Sequence, residues 1–181
     1  MLEHRTAALL AAMALAACGG QARGPGGSKL PDPIANASLF DTSGTRVGLA
    51  TFSEVDGKGQ MGISVSGLAP GRHGMHIHEN GACTPPDFES AGAHFNPASK
   101  EHGLENPAGP HAGDMPNLIV ETDGSADSTF TVSRSLLAQG PESMIGTQKR
   151  AFVIHADPDD QRTDPSGNSG SRVVCGVIER D

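Results

Sequence analysis

The chain has 181 residues, with 13 Lys and Arg against 21 Asp and Glu and a formal charge of −8 at pH 7. That length suits one domain with a core large enough to fold alone, and the acidity argues against a nucleic-acid binder, which must neutralise phosphates. With 24 Gly, 13 Pro, six Phe and no Trp or Tyr, and no repeating period, the composition indicates many turns and long loops on a β scaffold.

The N-terminal stretch MLEHRTAALLAAMALAACGG reads as an export signal. Arg5 supplies the positive end, and the apolar run from Thr6 to Ala17 is shorter than the roughly 20 residues a bilayer span needs. Leu15-Ala16-Ala17-Cys18 resembles a bacterial lipoprotein signal, in which the cysteine is lipidated and becomes the mature N-terminus. Residues 1–17 are therefore expected to be removed. Residues 18–36, rich in Gly and Pro, would tether residues 37–181 to a membrane surface. This places the domain on the periplasmic side of a bacterial membrane, and Gly19 after the cysteine is compatible with outer-membrane sorting. With Cys18 lipidated, Cys83 and Cys175 remain. In an exported protein such a pair most simply forms a disulfide, the alternative being two buried free thiols.

From Ala37 onward short strands alternate with turns. RVGLATFSEV puts Val47, Leu49 and Thr51 on one face, and GQMGISVSGLA separates Met61, Ile63 and Val65 from Gly62, Ser64 and Ser66. GMHIHE continues the same period. NLIVETD and STFTVSR flank GSAD as an expected hairpin, SRSLLAQG could make one helical turn, and RAFVIHAD and SRVVCGVIER close the domain. About eight strands at this spacing predict an all-β fold, a Greek-key antiparallel barrel or sandwich. Two segments, Asn80 to Pro116 and Asp157 to Gly170, lack apolar periodicity. Loops of that length in a compact domain usually carry function.

The first of those loops holds three histidines, His94, His102 and His111, with Asp114 close behind. His76 and His78 lie two apart on a strand, so they share a face at roughly 6 to 7 Å between Cα atoms. His155 ends another strand. Alone, an H-x-H pair is weak evidence. Three imidazoles and a carboxylate suit tetrahedral zinc, and an imidazole-only set suits tetragonal copper.

GMHIHENG, SAGAHFNP, EHG, HAGDMPN, VIHAD and GNSGSRVVCGVI resemble, in order and spacing, the copper,zinc superoxide dismutase family, from about Ala37 to the C-terminus. The resemblance implies one copper and one zinc ion per subunit. Copper would be held by His76, His78, His94 and His155, and zinc by His94, His102, His111 and Asp114, with His94 bridging the two. Asp159 would link His76 to His102 from outside the metal shell, and Arg172 would guide the anion to copper. His73 matches a structural histidine.

The implied activity is conversion of two superoxide anions and two protons to oxygen and hydrogen peroxide through a Cu(II)/Cu(I) cycle, with Arg172 and His94 as the catalytic side chains. The partners implied are superoxide, a membrane through the lipid anchor, and no nucleic acid. The family includes monomers and dimers, so a homodimer is compatible. Beyond Arg172, only Lys100, Lys149 and Arg150 offer themselves as guiding cations. The competing reading is a non-catalytic copper- and zinc-binding lipoprotein on the same scaffold.

Overall fold

The computed structural model describes residues 32–181; the expected export signal, Cys18 and most of the expected tether lie outside the described residues. Ten strands run in the order β1 (Ala35–Asp41), β2 (Arg46–Val55), β3 (Lys58–Val65), β4 (Gly71–His73), β5 (Met75–His78), β6 (Leu118–Val120), β7 (Ala126–Val132), β8 (Ala151–His155), β9 (Arg172–Val177) and β10 (Glu179–Arg180). β1 starts at Ala35, so the last two residues of the expected tether belong to the sheet. Among the described residues the only helical turns are two short 3-10 segments, Glu89–Ala91 and Arg134–Leu136. The second falls in the stretch expected to make one turn.

Seven strands follow one another in an antiparallel sheet of order β5-β8-β9-β1-β2-β3-β7, with β10 added to β1 and β4 paired to β6 apart. The sheet curls round one apolar core, the all-β arrangement expected. Met61, Ile63 and Val65 point into that core as their alternation predicts. On β2 the inward face is Ala50 and Phe52, both fully buried, and not the Val47, Leu49 and Thr51 face, which stays partly exposed. Register explains the choice, since Ala50 pairs with Ile63 and Phe52 with Met61. Phe52 meets Phe152 edge-on across the core, with centroids 6.4 Å apart.

The expected hairpin around GSAD is only a tight turn, closed by Glu121 N donating to Ser125 O at 2.8 Å. Its two strands part: β6 pairs with β4, while β7 pairs with β3 over its whole length. A seven-residue ladder outweighs what a three-residue strand could offer.

β5 decides where the site sits. Met75 and Ile77 face the core, so His76 and His78 face outward, yet all four are buried. The long loops cover that outer face. A second, smaller apolar cluster of Phe88, Ala91, Ala151, Val153 and Cys175 seals the loop over β8 and β9, and Cys83 is joined to Cys175 by a disulfide.

Candidate metal centre

The loop after β5 folds back onto it. Ile77 N donates to Gly113 O at 2.9 Å and Phe95 N donates to Ile77 O at 2.8 Å, which sets His78 opposite His94 and His76 opposite Asp114. Gly113 is required here, because a Cβ would collide with the Ile77 carbonyl. β8 lies on the other side of β5, with His76 opposite Val153. A register shift at Ile154/His155 then puts His155 opposite Arg172. Bulges of this kind re-aim side chains next to functional sites.

Six histidines and two aspartates meet in this space, all but His94 and His111 under 4% exposed in their side chains or as residues, and those two at 7% and 6%. His76 stacks on His94 with ring centroids 3.9 Å apart. Two groups have their ligand atoms mutually within 4.8 Å: His76, His78, His94 and His155, and His76, His94, His102 and Asp114.

In the first group one nitrogen of each ring is already committed. His76 Nε2 donates to Asp159 Oδ2 at 2.8 Å, His78 Nδ1 to Gly92 O at 2.9 Å, and His155 Nδ1 to Gly170 O at 3.2 Å. These bonds fix the tautomers. The opposite nitrogens are left open: His76 Nδ1 and His94 Nε2 are buried without a partner, and His78 Nε2 and His155 Nε2 face each other at 3.4 Å. Buried, unpaired imidazole nitrogens are costly unless something fills the space between them. This donor set fits a tetragonal copper ion.

On the other side, Asp114 Oδ1 lies 3.1 Å from His94 Nδ1, 3.0 Å from His102 Nδ1 and 3.3 Å from His111 Nδ1. A tetrahedral zinc with bonds of about 2.0–2.1 Å separates its ligand atoms by about 3.3–3.4 Å. Asp114 Oδ2 is engaged elsewhere, accepting from Gly103 N and His111 N at 2.8 and 2.9 Å. His76 is also near enough to join this group, but its one open nitrogen, Nδ1, already serves the first group, whereas His111 Nδ1 is buried without a hydrogen-bond partner. His111 Nδ1 is therefore the better fourth member, and the set fits zinc.

Asp159 spans the two groups, taking His76 Nε2 on Oδ2 and His102 Nε2 on Oδ1 at 3.0 Å. Its backbone is clamped by Asn117, whose amide makes 2.7 and 2.8 Å bonds to Asp159 N and O. Gly167 has φ of 61°, and a Cβ there would strike Asp159 Oδ1.

Electrostatics divide the site. Burial drives the imidazole pKa down to about 2 at His78, about 3 at His155 and about 4 at His94, and lowers His76 as well. At His102 burial acts in the same sense but is outweighed by the bonds to Asp114 and Asp159, which raise it to about 9. Both carboxylates are held well below the usual range: burial opposes, but the histidine hydrogen bonds prevail.

Arg172 is half-buried beside the first group. Its Nη1 and Nη2 donate to Phe88 O and Gly92 O, each at 2.6 Å. Gly92 O thus receives both Arg172 and His78. The guanidinium borders a surface cavity of about 480 Å³ that also exposes Asp87 and Glu89. His73 stays outside the cluster, its ring nitrogens 2.7 and 2.8 Å from His155 O and Ala69 O. Of the other cations named from sequence, Lys149 is paired with Glu179 at 2.7 Å, and Arg150 is buried and cannot guide an anion from solvent. The carbonyls of Phe88 and Gly92, and the Asn117 clamp, carry no sequence signal of their own.

The family description Copper/zinc superoxide dismutase matches residues 46–178. The chain is 40% identical to the superoxide dismutase-like protein YojM of Bacillus subtilis, over 94% of this chain and 92% of that one. It is 42% identical to superoxide dismutase [Cu-Zn] 2 of Aquifex aeolicus, over 81% and 87%. A solved double mutant of the Bacillus subtilis SOD-like protein superposes with a TM-score of 0.75 at 45% identity, covering 78% of this chain and 95% of that one. With nearly three quarters of its length and its whole histidine constellation inside that match, the chain belongs to the copper/zinc superoxide dismutase family.

Proposed function

We propose that this protein dismutates superoxide, with His76, His78, His94 and His155 holding copper and His94, His102, His111 and Asp114 holding zinc. Copper, when bound, supplies the one-electron chemistry that turns two superoxide anions and two protons into oxygen and hydrogen peroxide. The observation that carries this reading is the set of four open imidazole nitrogens, each on a ring anchored through its other nitrogen, beside a charged guanidinium.

The protein's own residues have distinct tasks. Two of the five guanidinium donors of Arg172 are spent on carbonyls, and the rest can bind a small anion. His94 presents Nδ1 to Asp114 and leaves Nε2 open. One rigid ring can therefore serve both groups, with Nε2 as the atom able to hold a proton. Asp159 keeps His76 and His102 in the tautomers that free their Nδ1 atoms.

Export and lipidation at Cys18 belong to the same proposal. The order of Arg5, an apolar run and Cys18 supports them, as does a disulfide suited to an oxidising compartment.

The test is superoxide consumption by the purified, copper- and zinc-loaded domain. Arg172→Ala should lower the rate by about tenfold or more at unchanged metal content, the scale of losing a hydrogen bond to a charged group, about 1.5–3 kcal/mol. Absence of activity in the fully loaded wild type would instead favour the metal-binding, non-catalytic reading.

A further inference from the structure

Arg150 is a charged side chain in a place where charge is costly. It is 9% exposed, and its Nε is buried without a hydrogen-bond partner. Burial works against its charge and only the nearby Glu79 offsets it; a buried guanidinium so placed contributes poorly to stability, and an apolar residue of similar size often does as well. Its two contacts are specific, however. Nη1 donates to Glu79 O at 2.7 Å, and the guanidinium lies over the Phe95 ring with its carbon 4.3 Å from the centroid.

Glu79 directly follows His78, and Phe95 directly follows His94. These two segments face each other through Glu79 N to Ala93 O at 2.9 Å and the His78–His94 bridge. Arg150 immediately precedes β8, the strand that ends in His155, and its own carbonyl accepts Ile178 N at 2.9 Å. One residue therefore ties together the segments that carry three of the four open imidazole nitrogens.

We propose that Arg150 is a positioning residue for copper, setting the spacing of His78 and His94 relative to His155. This rests on the copper assignment above. A flat fork suits the task, because it can lie on a ring and point a donor at a carbonyl together, which a lysine ammonium cannot.

The experiment compares wild type, Arg150→Met, Arg150→Lys and Phe95→Leu, measuring copper and zinc affinity, the electron paramagnetic resonance spectrum of Cu(II), and thermal stability. Arg150→Met should weaken copper by about tenfold to a hundredfold, the range for groups that orient metal ligands, and alter the spectrum. Zinc should change less, because His102, His111 and Asp114 are untouched. Arg150→Lys should follow Met and not restore the spectrum, and Phe95→Leu should fall between. If Arg150→Met does not fold, the other two variants decide. Lower melting temperatures with wild-type copper affinity and spectrum would reduce Arg150 to a structural brace and overturn the proposal. A wild type that takes up no copper would overturn the copper assignment itself.

Discussion

Asp159→Asn keeps the shape of the side chain and removes one acceptor. In the native site Oδ1 takes His102 Nε2 at 3.0 Å and Gln161 N at 2.6 Å, while Oδ2 takes His76 Nε2 at 2.8 Å. The asparagine oxygen is best kept where two donors converge, so its NH₂ faces the Nε2–H of His76, donor against donor. His76 can escape only by moving its proton to Nδ1, the atom that Asp159 now leaves open. The lost hydrogen bond to a charged acceptor is worth about 1.5–3 kcal/mol. At 1.4 kcal/mol per decade, copper affinity should fall by about 10- to 150-fold. His102 keeps a neutral acceptor in place of a charged one, a bond roughly half as strong, so zinc should weaken less than copper. Competition titrations against chelators, with apo-protein melting curves to correct for folding, would measure both. Copper binding indistinguishable from wild type would refute the argument, because it would mean that His76 does not depend on this carboxylate for its tautomer. Zinc lost with copper unaffected would refute the placement of the amide.

Replacing Cys83 and Cys175 by serine opens a link between residues 92 apart and should cost about 4–5 kcal/mol on the chain-entropy account. The same change should lower activity at full metal content, since Phe88 O and Gly92 O, which hold Arg172, lie on the tethered loop. Denaturant unfolding with stability near that of the wild type would contradict it. The metal-free protein should be most stable near pH 7, where the four histidines of the unfolded chain together hold about the one proton that folded His102 keeps. Below that, the unfolded chain takes up protons that folded His78, His94 and His155 refuse until about pH 2 to 4, so stability falls with pH. Above it, the unfolded state releases the proton that folded His102 holds up to about pH 9, so stability falls as pH rises. Melting temperatures across pH 4 to 10 would test this, and a monotonic profile would count against the division of the site.

Much of the candidate site was legible because its candidate ligands are chemically distinctive and their order along the chain is itself a signature. His76 and His78 needed only the period of a strand. What stayed hidden depends on backbone atoms or on packing. Nothing in Phe88 or Gly92 announces a carbonyl aimed at Arg172, since every residue has one. Arg150 read as a surface cation because charge usually means exposure, and only the Phe95 ring and Glu79 carbonyl take it inside. On β2 the alternation separates two faces without saying which turns inward, since neither is decisively the more apolar, and register with β3 chose Ala50 and Phe52. The hairpin failed for a related reason: a good turn dictates where the chain reverses, and the partners with the longest ladder dictate where its strands go.

The fold also resolves how so acidic a protein can act on an anion. At physiological ionic strength charges further than about 8 Å away are largely screened, so the overall −8 matters less than the few groups at the site. There Arg172 shares its cavity with Asp87 and Glu89, two acids against one base. That local balance offers little long-range attraction. On the proposed reading the guanidinium acts at contact, through donors left over after Phe88 and Gly92 have fixed its plane. Gly92 O makes this more than a surface arginine, because the same oxygen orients His78. Any shift of the disulfide-tethered loop would move the Arg172 donors and a candidate copper ligand together. The loop over β5 therefore couples Arg172 to the geometry of the candidate copper group through one carbonyl.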